Sequence, residues 1–273
     1  MESRIAEAVK LPHQPVAILW GDNKPESARM FKGKAWGCTL WLLAAAAKGR
    51  LAACSRNNFG CFGGGTGIGF GDQYRNFPGG ADGFCRFLST GNAGDPQGEA
   101  IAEGMKPFAP AEFIDEYLQG EGYLKSPKDV GAFIEEIPIL DIEAEYVLFK
   151  PLSEVDPHCE EPVSVVFFSD PDRFAALGVL ANYSFPGNDN VIFPFAAGCQ
   201  AIGIYSYREA ASSRPRAVAG PMDLSARLYL RGQFGEDVMS LSIPWSMFLT
   251  MEDNVAGSFL ERHTWHQLLK TKS

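Results

Sequence analysis

Cysteines and glycines are the residues of this chain whose types and spacing suit chemistry. Fifteen residues separate Cys38 from Cys54, six separate Cys54 from Cys61, and Cys199 lies far downstream. Thiolates are soft ligands, and four of them are the usual set for an iron–sulfur cluster; tetrahedral zinc accepts the same donors. The expected metal ligands are therefore Cys38, Cys54, Cys61 and Cys199, around an iron–sulfur cluster or zinc. No C-x-x-C pair and no compact ferredoxin spacing accompanies them. Buried structural thiols and a thiol-dependent enzyme using Cys38 or Cys199 stay open as alternatives. Cys38 and Cys199 each stand where a helix should begin, and the unpaired N–H groups there should lower the pKa of either. Cys159 lies in the acidic loop His158-Cys159-Glu160-Glu161, which should raise its pKa, and it is left out of the set.

From Gly60 to Gly71 the chain carries seven glycines, with Cys61 among them. Such a run reads as a flexible loop whose backbone approaches a ligand closely, with N–H groups that cradle an anion. The expected cofactor-binding residues are Gly63, Gly64, Gly65, Gly67 and Gly69, lining a concave site, with Arg86 supplying charge. Arg56 and Arg75 are further cations close in sequence. The run is not a P-loop, since no Lys-Ser or Lys-Thr closes it, and no G-x-G-x-x-G register fits. A tight turn built for packing is the competing reading. His263 and His266, three residues apart, and the carboxylates of Asp141-Ile-Glu143-Ala-Glu145 read as solvated surface. The aromatics around the run, among them Trp36, Trp41, Phe59, Phe70 and Phe84, read as core, with stacking on a flat cofactor as the alternative.

The elements that must position these residues are visible in outline. Pro15 to Trp20 is an apolar strand closed by Gly21-Asp22-Asn23, and Cys38 to Lys48 is a helix of strong formers ended by Gly49. Arg50 to Cys54 is a short strand entering the glycine run. Residues 72–110 read as loop-rich, Ala111 to Gln119 as a helix stopped by Gly120, and Glu145 to Lys150 as a strand stopped by Pro151.

The order then starts again. Pro162 to Phe167 repeats the character of Pro15 to Trp20, and the helix opened by Gly198-Cys199 parallels Gly37-Cys38. Arg216 to Gly220 matches Arg50 to Cys54, and Asp237 to Trp245 matches Glu145 to Pro151. The reading is an α/β fold, with α+β open, built on a mixed sheet with helices and an internal duplication. The expected halves are residues 1–155, with the Cys/Gly-rich loop, and residues 156–273, packed as one globular unit.

Composition narrows the function classes. The chain has 273 residues, 46% of them hydrophobic and 21% charged, as in ordinary globular proteins. A formal net charge of -9 argues against a nucleic-acid partner and against adhesion to anionic membranes. No apolar run approaches the roughly 20 residues that span a bilayer, and the first residues lack the apolar stretch of a signal peptide. A cytoplasmic protein with a small-molecule or anionic ligand is expected.

Several spaced motifs also resemble one family. Pro15-Val-Ala-Ile, Gly37-Cys38, Gly60-Cys61-Phe-Gly-Gly, Phe87-Leu-Ser-Thr-Gly91, Val147-Leu-Phe-Lys-Pro151, Phe168-Ser-Asp-Pro171 and Gly198-Cys199 together look like domain of unknown function 169, an uncharacterised archaeal and bacterial family. The resemblance runs from about Pro15 to Met251. It implies a prokaryotic cytoplasmic protein, often of anaerobic metabolism, with recurring cysteine positions, and it brings no activity or catalytic residue.

Overall fold

The computed structural model describes residues 1–33, 36–107 and 109–270. By its internal contacts the chain divides into two compact units. One joins Met1–Phe70 to Asp141–Ser273, and the other is Gly71–Leu140.

The larger unit carries a mixed seven-stranded sheet. Its first part runs α1 (Arg4–Ala8), β1 (Val16–Gly21), α2 (Thr39–Ala47), β2 (Ala52–Ser55) and α3 (Phe62–Gly67). The smaller unit then contributes α4 (Gly80–Phe87), α5 (Pro96–Met105), α6 (Ala111–Gln119) and α7 (Pro127–Glu136). The sheet resumes with β3 (Tyr146–Pro151), β4 (Ser164–Ser169), α8 (Pro171–Leu180), β5 (Val191–Ile192) and α9 (Gly198–Gln200). A π-helical turn (Ala201–Tyr205) leads directly into α10 (Ser206–Ala210), and β6 (Ala217–Gly220), α11 (Leu224–Phe234), β7 (Met239–Pro244), α12 (Trp245–Asp253) and α13 (His263–Lys270) follow.

The strand order is β2-β3-β1-β4-β7-β6-β5. β1 and β4, the two Pro-Val strands of the sequence, lie side by side and antiparallel, with Val16 opposite Val166 and Ile18 opposite Ser164. Outward from that pair each half reads alike: β3 and β7 come next, then β2 and β6, all antiparallel. β2 and β6 each also take a short parallel partner. Arg29 bridges Ala52, the first residue of β2, and Val191 pairs with Ala217, the first residue of β6. Both expected halves thus feed one sheet, while the compact units divide elsewhere, at Phe70 and Asp141.

Side chains alternate across a strand, so a strand covered on both faces, such as β4, buries two sets. Ala17, Leu19, Val165, Phe167, Leu241 and Ile243 enter a core with Leu177, Phe248, Met251 and Trp265 from the helices of one face. The opposite face meets α2 and the α9–α10 segment, where Ser242 Oγ is 2.9 Å from Ser206 Oγ and 3.3 Å from the Ile202 carbonyl oxygen.

The smaller unit corrects the loop-rich reading of residues 72–110. Asp95 caps α5 by accepting from the Gly98 N–H at 2.8 Å, and Pro96 opens it. Glycines here mark helix ends: Gly79 precedes α4, and Gly91 and Gly94 lie between α4 and α5. Tyr74, Phe77, Phe84, Phe87 and Tyr117 form the core of this unit, with Tyr74 and Phe84 stacked at 4.2 Å.

Candidate functional site

The glycine run is where sequence and structure part most. It is not an open loop. Phe62–Gly67 is helical, and the N–H groups of Gly65 and Ile68 are spent on the carbonyls of Cys61 and Gly64. Gly64, Gly65 and Gly67 are buried and Gly63 half-buried. The concave, N–H-lined loop expected for Gly63, Gly64, Gly65, Gly67 and Gly69 does not form. Glycine disfavours a helix by about 1 kcal/mol per residue relative to alanine, so something must repay that cost here. Close approach does. A Cβ on Gly64 would lie 2.5 Å from Thr39 Oγ1, and one on Gly67 would lie 2.7 Å from Cys199 Sγ. From the other side, a Cβ on Gly203 would lie 2.0 Å from the Gly67 carbonyl oxygen. The absence of these methyl groups lets α3 press against the segment that carries Cys199.

Three cysteines stand at helix starts that meet here. Cys38 is the N-cap of α2, Cys61 the N-cap of α3, and Cys199 the second residue of α9. Cys61 caps its helix through sulfur, accepting from the Gly64 N–H at 3.2 Å. The Cys199 thiol donates to the Gly63 carbonyl oxygen at 3.3 Å. That oxygen and the Gly64 nitrogen share one peptide unit, so the two sulfurs lie within about 9 Å of each other. Asp223, N-cap of α11, joins them: one carboxylate oxygen accepts from Ala226 N–H at 2.5 Å and the other from Gly198 N–H at the start of α9. Four helix N-termini therefore converge on one locality.

Electrostatics confirms the neighbourhood and corrects one expectation. The thiol pKa values rise rather than fall. Burial pushes the Cys38 thiol up to about 12, with Cys61 and Asp223 adding to the rise, while the N–H groups of Leu40 and Trp41 pull the other way. Burial likewise raises Cys199, and Cys61, Asp223 and Cys38 add to it against the Gln200 N–H. Cys54, wholly buried in β2, is raised by burial and then by Cys61 and Cys38. Helix N-termini do act on the thiols as the sequence implied, but desolvation is the larger effect. Burial also raises Asp223.

Cys38, Cys54, Cys61 and Cys199 are thus electrostatic neighbours. Even so, among the described residues no three His, Cys, Asp or Glu side chains already stand as a metal-holding group. None of the six cysteines is in a disulfide. Cys159 is exposed and its pKa is raised, first by its hydrogen bond to Asp156. Cys85 and Arg86 belong to the smaller unit, where Arg86 faces Asp95 at 3.7 Å. Arg56 is paired with Asp141 and Arg75 with Asp72, each at 2.7 Å. A cleft of about 560 Å³ in the larger unit, lined in part by Ser3, Glu7, His13 and Lys48, includes neither these thiols nor the glycine run.

Two participants escaped the sequence reading. Gly203 carried no signal beyond its place in Gly198-Cys-Gln-Ala-Ile-Gly203. Asp223 carried one, an acid just before the helical run Leu224–Phe234, which is an N-cap signature. Among the described residues no helix is long and apolar enough to cross a membrane. No curated protein and no solved structure matches the chain. Residues 4–254 match the profile of the family described as DUF169, Uncharacterised ArCR, and the chain belongs to that family.

Proposed function

We propose that this protein binds a thiophilic metal, as zinc or an iron–sulfur cluster, through Cys38, Cys61 and Cys199, with Cys54 behind them, and that iron there would give it a redox-type role. One observation carries the reading. Groups that become anions on losing a proton, Cys38, Cys61, Cys199 and Asp223, gather where four helix starts meet. A cation would offset both the desolvation and the mutual repulsion that hold the thiols protonated. Loading would free the Cys199 thiol from the Gly63 carbonyl and Cys61 from the Gly64 N–H, and would release the thiol protons to water. Uptake should therefore strengthen as pH rises. Free thiols suit a reducing, cytoplasmic setting.

The competing readings draw less support. An anionic ligand would need the glycine N–H groups and a free cation, but the helix uses Gly65 N–H and the capping sulfur uses Gly64 N–H. The arginines named for that role are paired with carboxylates. A nucleophilic Cys38 or Cys199 runs against the upward shift of both thiols.

The test is anaerobic purification followed by metal analysis, labile-sulfide assay and a visible spectrum. Zinc or iron at near-stoichiometric content is expected. Cys38→Ser and Cys199→Ser should lower it to similar extents, and Cys159→Ser should leave it unchanged. A chain that stays metal-free after exposure to zinc, and to iron with sulfide, would overturn the reading.

A further inference from the structure

The cleft of about 560 Å³ in the larger unit is walled by α1, by residues 11–15 and by the end of α2. Two backbone hydrogen bonds tie these walls together: Leu11 N–H donates to the Ala6 carbonyl oxygen and Gln14 N–H to the Ala47 carbonyl oxygen, each at 2.9 Å. The volume is that of an ordinary small-molecule site, roughly 300–1,000 Å³. Leu11, Ala47 and Leu152 give the cleft apolar surface, and Glu2, Glu7, His13 and Lys48 give it ionisable groups of both signs.

Those groups share the cleft without meeting. Among the described residues neither Glu2 nor Glu7 forms an ion pair, with Lys48 or with any other base. Lys48 Nζ is 2.7 Å from Gln233 Oε1 and 5.7 Å over the Phe234 ring, and the His13 ring meets the same Phe234 at 4.8 Å. The two bases therefore gather beside α11, while the carboxylates stand on α1 and just before it. An anion alone would face Glu2 and Glu7, and a cation alone would face Lys48 and His13. A molecule carrying both charges complements both groups. Freely solvated charges would also stand unpaired, but His13 is not freely solvated. Its ring is half-buried, and neither nitrogen is hydrogen-bonded among the described residues. Burial and then Lys48 hold its pKa below the usual 6.5.

We propose that this cleft binds an amino carboxylate whose two charges are held apart by an apolar spacer, with the carboxylate at His13 and Lys48 and the ammonium at Glu2 and Glu7. The site does not rest on the metal reading, since no thiol lines it and its test needs no metal.

The experiment titrates the full chain with 6-aminohexanoate at constant ionic strength, reading binding heat and the His13 imidazole resonances. Hexanoate and 1-aminohexane, each lacking one of the two charges, serve as controls. Saturable binding of 6-aminohexanoate is expected, about tenfold tighter than either control. The His13 pKa should move up as a carboxylate settles beside the ring. Lys48→Met should weaken binding about tenfold, as should the double change Glu2→Gln with Glu7→Gln, while Lys48→Arg, which keeps the charge, should retain it. Thermal melts of each variant show that it has folded. Hexanoate or 1-aminohexane binding as tightly as 6-aminohexanoate would mean a site for one charge only and would overturn the proposal. So would the absence of saturable binding to the wild-type chain, or a folded double variant that binds like wild type.

Discussion

Replacing Gly203 by alanine puts a Cβ 2.0 Å from the Gly67 carbonyl oxygen, a backbone atom that cannot swing aside. The same change at Gly67 meets Cys199 Sγ at 2.7 Å and two backbone atoms of the facing segment at 2.9 Å. At Gly63, in the same helix as Gly67, a Cβ meets nothing within 4 Å. Alanine gains about 0.5–1 kcal/mol over glycine inside a helix. Forcing packed elements apart costs about 1–3 kcal/mol. Gly63→Ala should therefore stabilise the fold by up to about 1 kcal/mol, while Gly67→Ala and Gly203→Ala should each lose about 1–2 kcal/mol net. In a unit of this size that means a midpoint up by as much as about 4 °C for the first, and down by about 2–8 °C for the others. Urea unfolding followed by circular dichroism, beside thermal melts, measures all three. Wild-type stability at Gly67→Ala and Gly203→Ala, or a destabilised Gly63→Ala, would refute the claim that these glycines are there for close approach.

Other outcomes follow from features already described. In the native chain, iodoacetamide should label exposed Cys159 first and Cys54 last, as tryptic mass mapping over time would show; early loss of Cys54 would contradict its burial in β2. Asp223→Ala removes an acceptor shared by the starts of α9 and α11 and should cost about 1–2 kcal/mol in urea unfolding, with Asp223→Asn recovering most of it. Glu252 is buried and accepts from Ser3 Oγ at 2.5 Å and Arg4 N–H at 2.7 Å, yet burial raises its pKa from the usual 4.5. A raised folded-state pKa means its contribution is full below about pH 4.5 and declines as pH climbs through the folded value. The stability difference between wild type and Glu252→Gln should accordingly favour wild type most at low pH. A pH-independent difference would show that the shift is absent.

Much of the sheet was legible because strands announce themselves locally. Pro15 to Trp20, Glu145 to Lys150, Pro162 to Phe167 and Asp237 to Trp245 each lie within a residue or two of an observed strand, and Ala111–Gln119 is a helix with the bounds read for it, stopped by Gly120. Cys38 and Cys199 were legible as residues at helix starts; Cys61, read as part of a loop, stands at a third. The glycine run was not legible. Glycines that loosen a loop and glycines that admit a second helix look the same in one dimension, and the residue that tells them apart, Gly203, lies far along the chain. The thiol pKa values failed for a similar reason, because a helix start is visible in sequence and the water excluded around it is not. In residues 72–110, the turn signals belonged to helix ends crowded closely together.

The strand order, alike in both directions from the β1–β4 seam, has a consequence for the thiols. Cys38 and Cys199 open helices that precede the corresponding strands β2 and β6. Cys61 and Asp223 cap the helices that follow those strands. Four helix starts thus flank these two strands, three holding sulfur and the last holding a carboxylate. Asp223→Cys would make the set uniform. Cys61 already shows that sulfur can cap such a helix, so the exchange asks the backbone for little that it does not do once.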